Sequence, residues 1–222
     1  MCKHLSNSTI LLKQERLALV SPVWKPFKMA TTSDCHPRHC SDYAQFLQGF
    51  AALLTERITA SLDRESGNPI EAEKFSEDQK LFCDLHAIVA SKKLDRDTKV
   101  SLISKPDFKT VLNFLEKTVY QTECTPENIT FAWILIERLF DITEWKLTAT
   151  TWRCLLLVAI KLAQVVQDEP SMSNKSLASA YPLFSAKRYQ TLTIKFLTIV
   201  DYKTYVSFKE FHDVYADIQC EQ

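Results

Sequence analysis

The residues of this chain best equipped for chemistry are thiols, imidazoles and acids. The densest group is the run Cys35-His36-Pro37-Arg38-His39-Cys40. Two thiols and two imidazoles so close together are ligand types that zinc takes. A zinc site of this kind also needs a separated second ligand pair, and only Cys2 and His4 stand near enough to help. The run therefore reads as a solvated piece of an N-terminal arm, and neither a metal nor another cofactor is expected. Cys83 and Cys154 sit in apolar helical settings and read as small core residues. His86 and His212 are single histidines with no cysteine or serine nucleophile beside them in the pattern, so both read as packing residues. Asp168 and Glu169 follow an apolar helix, where the dipole favours cations instead. Three readings of that pair stand: a solvated loop, a turn of the chain, or a contact for a basic partner. No nucleophile–base pair emerges, and the chain is expected not to be an enzyme.

Composition narrows the classes further. Only Gly49 and Gly67 occur in 222 residues, so neither a GxGxxG turn nor a Walker loop can be written. Lysine plus arginine and aspartate plus glutamate balance at 27 each, which excludes a global field for nucleic acid. Hydrophobic residues at 46% and charged residues at 24% describe a globular chain. Seven scattered cysteines without a signal-like apolar run suggest reduced thiols in a cytoplasmic or nuclear protein.

Few glycines and long apolar-periodic runs predict an all-α protein. Residues 1–41 mix proline, serine and broken apolar pattern, as a flexible arm would. Over 43–64, Phe46, Phe50, Leu53, Leu54, Ile58 and Leu62 recur at helical spacing. A second helix is expected from Ser76 through Leu81, Phe82, Leu85, Ile88 and Val89. From Pro106, one face carries Phe108, Val111, Leu112, Leu115 and Val119. Thr125 and Pro126 form an N-cap and first turn for a helix reaching Phe140, striped by Ile129, Ala132, Trp133, Ile136 and Leu139. The next helix, beginning at Trp152, is apolar on every side and belongs at the centre of a bundle. Its uninterrupted apolar run, Cys154 to Ile160, is too short to span a membrane. A short helix after Asn174 precedes one over 185–200, with Tyr189, Leu192, Phe196, Leu197 and Val200 inward. Ser207 and Glu210 make a capping box for a last helix burying Phe208, Phe211, Tyr215 and Ile218. Core packing accounts for Trp133 and Trp152, while Trp145 reads as a partner-facing anchor.

Residues 136–174, "IERLFDITEWKLTATTWRCLLLVAIKLAQVVQDEPSMSN", resemble the second and third helices of a cyclin box, in particular that of the single-box cyclins of the Y and P/U type. Glu137, Arg138 and Leu139 match the first element, Trp152, Leu157, Ala159 and Ala163 the central helix, and Asp168, Glu169 and Asn174 its end. Residues 196–218 resemble the fifth helix, the turn after it and the helix that closes the box. The resemblance implies a bundle of about five helices around a central apolar helix, with additional N-terminal helices. It divides the chain into an arm (1–41), a helical extension (42–105), the box (106–218) and a short tail (219–222). It implies no active site, and a cyclin-dependent protein kinase bound through box helices three and five, whose regulatory helix is thereby held in the active position.

In many kinase-activating cyclins a lysine late in helix three and a glutamate in helix five grip the kinase. Val165 and Thr193 stand at those positions here, with Lys161 one turn earlier and Lys195 close by as replacement charges. Charge-assisted hydrogen bonds contribute roughly 1.5–3 kcal/mol each, so losing both amounts to about two to four decades of affinity. The expected partner surface comprises Lys161, Gln164, Val165, Asp168, Glu169, Thr193 and Lys195. The expected function is kinase regulation in the cell cycle by a non-catalytic subunit. The alternative is a cyclin-like structural subunit of a larger complex that no longer binds a kinase.

Overall fold

The computed structural model describes residues 41–63, 75–84, 88, 96, 99, 104–167, 171–181 and 184–220. The described residues form eight helices and no strand: α1 (Ser41–Asp63), α2 (Glu77–Phe82), α3 (Phe108–Thr122), α4 (Pro126–Thr143), α5 (Trp152–Val166), α6 (Asn174–Ala180), α7 (Ala186–Ile199) and α8 (Phe208–Cys220). The all-α class is as the periodicity predicts. No helix among them is long and apolar enough to cross a membrane.

Side-chain caps set most of the boundaries. Ser76, Asp107, Thr125, Ser173 and Ser185 each accept a hydrogen bond from an amide of the first turn, which satisfies a donor the helix itself cannot. At α4 the box is reciprocal, because the Asn128 side chain also accepts from the Thr125 amide at 2.9 Å. Ser207 and Glu210 close the same kind of box on α8. At the other ends, Glu123 and Glu144 take left-handed conformations (φ 52° and 58°) that stop α3 and α4.

The core is centred on α5, in which every residue from Trp152 to Ile160 is buried. It lies against α4 and α7, and its first ring, Trp152, meets Phe114 of α3 edge-on at 4.8 Å. α1 shares this core. It packs on α3, α4 and α8, with Phe50 against Trp133 at 5.8 Å and Phe46 stacked on Tyr215 at 5.3 Å.

Several expectations need correction. The second helix stops at Phe82, where Cys83 turns extended and the Asp84 amide donates to the Thr150 carbonyl at 2.8 Å. Leu85 and Val89 lie outside the described residues, and Leu81 points outward. Phe108 and Phe208 are 41% and 64% exposed, each being the first residue of its helix, before the turn that meets the core. α4 runs past Phe140 to Thr143, and α8 runs past Ile218 to Cys220. Trp145 is half-buried against Phe82, ring centroids 5.8 Å apart, and is no free anchor.

Candidate functional site

The described residues among the nominated partner-binding set, Lys161, Gln164, Val165, Thr193 and Lys195, fall on the last two turns of α5 and the middle of α7. Lys161 is half-buried, and its ammonium donates to Asn174 Oδ1 at the start of α6. Burial holds its pKa below the ordinary lysine value. Gln164 is 1% exposed, and its amide donates to the Thr122 carbonyl at 2.8 Å. It satisfies the frayed end of α3 and takes no part in a surface. Val165, next along, is 52% exposed. Thr193 returns its hydroxyl to the Tyr189 carbonyl at 2.9 Å. Lys195 pairs with Asp78 of α2 at 2.8 Å. Asp168 and Glu169 lie outside the described residues, as does the Cys35–Cys40 run. No side-chain hydrogen bond or ion pair among the described residues joins one nominated residue to another.

Three residues on this side were missed by sequence reasoning. Ile194, between Thr193 and Lys195, is 44% exposed. Its neighbours' helical stripe is visible in the sequence, but an isoleucine outside the stripe is an ordinary occurrence and signals little by itself. Asp78 and Leu81 bring α2 to α7: Asp78 through Lys195, and Leu81 through its carbonyl, which accepts from Arg188 at 2.9 Å. Phe82 completes the attachment by burying its ring against Phe196.

A buried ion pair anchors the segment after α2 to the start of α5. Arg153 Nε donates to Asp84 Oδ2 at 2.8 Å, with both side chains almost wholly enclosed, and Arg153 also donates to the Ala149 carbonyl at 3.1 Å. Asp84 Oδ1 has no hydrogen-bond partner among the described residues. Burial pushes the Asp84 carboxyl up to about 6, against the opposing pull of Arg153. Beside it, burial raises the Cys154 thiol well above its usual value, so it stays protonated and packs as a small apolar side chain. Cys83 is equally enclosed, whereas His212 is exposed beside Phe208. No group of three or more metal-ligating side chains occurs among the described residues.

The Glu137–Arg138 pair of the sequence motif divides its work. Arg138 makes a two-pronged contact with Glu210 at 2.8 and 2.7 Å and donates to the Lys203 carbonyl at 3.0 Å, tying α4 to the cap of α8. Glu137 faces the other way and accepts from Arg57 of α1 at 3.1 Å. These contacts define an all-helical bundle whose connections are cross-braced by arginine. No protein-family model, curated protein or solved structure matches the chain.

Proposed function

We propose that this chain is a non-catalytic, cyclin-like regulatory subunit, built on one cyclin box, that binds a cyclin-dependent protein kinase through α5 and α7. One observation carries the reading. Helix α5, buried without a break from Trp152 to Ile160, exposes Val165 in its last turn, at the position the resemblance aligns with a kinase-gripping lysine. Ile194 offers a second exposed apolar side chain from α7. Lys161 and Lys195 are already engaged by Asn174 and Asp78, so the contact is apolar and not an ionic clasp. Covering two half-exposed aliphatic side chains contributes about 1 kcal/mol each, so affinity depends on further contacts around them.

The test is a native pull-down of the tagged full-length chain with its partners identified by mass spectrometry, repeated with Val165→Glu and Ile194→Glu. A stoichiometric cyclin-dependent kinase, lost in both variants while their helical circular dichroism is unchanged, is the expected result. Kinase recovery indifferent to both substitutions places the docking surface elsewhere. The internal engagement of both lysines favours a second reading, a cyclin-like structural subunit, and recovery of a large assembly without any kinase would select it.

A further inference from the structure

A groove of about 330 Å³ runs between α1, α4 and α8. None of its lining residues belongs to α5 or α7, so its chemistry is independent of the kinase reading. Leu53, Trp133 and Val214 supply apolar walls, and Arg57, Glu137 and Asp217 the polar rim. Gly49 sets the close crossing of α1 and α8 beside this groove. A Cβ there would lie 2.2 Å from the Ile218 carbonyl oxygen, so only glycine lets α8 approach α1 so closely. Leu53 and Arg57 follow Gly49 at four-residue intervals on the same face of α1, and there the space opens.

Among the described residues, the lining carries two carboxylates, Glu137 and Asp217, and one guanidinium, Arg57. Arg57 pairs with Glu137. Asp217 lines the groove, and Asp141 stands one turn beyond Glu137 on α4; both are exposed, and neither enters an ion pair among the described residues. Their charges reach Glu137, whose carboxyl is pushed up first by burial and then by Asp141 and Asp217, with Arg57 pulling it down. Among the described residues, two lining carboxylates thus face one guanidinium around a trough with apolar walls, with Asp141 one turn outside it.

That combination selects its occupant. A bare divalent ion needs six or more oxygens, and the rim offers two lining carboxylates, one already bonded to Arg57. A long cationic side chain fits both parts, its methylenes along the apolar wall and its head at the acidic rim. We propose that this groove docks an arginine side chain carried on an extended segment of a partner protein. Arginine suits it better than lysine because a planar guanidinium is weakly hydrated and bonds a carboxylate through two donors.

The experiment titrates isotopically labelled full-length chain with acetyl-Gly-Ser-Arg-Ser-Gly-amide and follows backbone amide resonances. The control peptide replaces arginine with citrulline, which keeps the shape and removes the charge. Saturable shifts at Leu53, Arg57, Glu137 and Asp217 are expected, with affinity about tenfold weaker for citrulline and for Asp217→Asn. Asp217 is exposed, so its replacement leaves the core intact. Glu137→Gln is the second variant and weakens binding in the same direction. The proposal is overturned by an absence of groove shifts at millimolar peptide, by equal binding of the citrulline peptide, or by an unchanged Asp217→Asn titration.

Discussion

Replacing Asp84 with asparagine is expected to abolish a pH dependence built into the fold. Asp84 is fully enclosed, and among the described residues it touches one cation, Arg153, through one oxygen, while its other oxygen has no partner. Burial outweighs the arginine and raises the carboxyl from 3.8 to about 6. The folded chain therefore binds this proton more tightly than the unfolded chain does. For a carboxyl raised on folding, the resulting stability is complete below the unfolded value and is lost as pH climbs through the folded one. A separation of about 2 pKa units corresponds to about 3 kcal/mol at roughly 1.4 kcal/mol per unit. Asparagine keeps a carbonyl acceptor for Arg153 and does not ionise. Urea unfolding of both proteins between about pH 4 and about pH 7 measures the difference. Relative to wild type, the variant should gain most of that, about 2 kcal/mol, across that window. A constant difference would refute the reasoning, and a relative loss would mean that the attraction of Arg153 exceeds the cost of burial.

Four further outcomes rest on particular contacts and exposures. Gly49→Ala drives a methyl group into the Ile218 carbonyl and should cost about 1–3 kcal/mol in denaturant unfolding, as overpacking does. Ile218→Ala, at a fully buried site, should cost about 2–5 kcal/mol, whereas Phe208→Ser, at an exposed one, should stay within about 0.5 kcal/mol. Thr118→Val removes the hydroxyl that meets the Tyr181 hydroxyl at 2.5 Å and should cost about 1–3 kcal/mol, since Tyr181 loses a buried partner; a thermal melt that matches wild type contradicts this.

How much of the molecule is legible in its sequence depends on how local the cause is. Thr125 with Pro126, and Ser207 with Glu210, begin helices through bonds closed within one turn. The wholly apolar α5 has to be surrounded, because no face of it gains by meeting water. Phe108 and Phe208 depart from expectation because periodicity marks a stripe without saying which end of it overhangs the neighbouring helix. Gln164 reads as a surface residue by its type, yet the end of α3 needs a donor and draws it inside.

By itself, the sequence determined the all-helical class, most helix starts and the identity of the central helix, since capping and amphipathicity act over three or four residues. Tertiary structure alone decided that α1 joins the core, that Asp84 meets an arginine 69 residues away, and that Asp78 and Asn174 occupy the two lysines. It also decided that one glycine brings α8 onto α1 and leaves a groove beside the crossing. Such pairings depend on where whole helices come to rest, and that is settled by the summed packing of the bundle, which no short stretch of chain encodes.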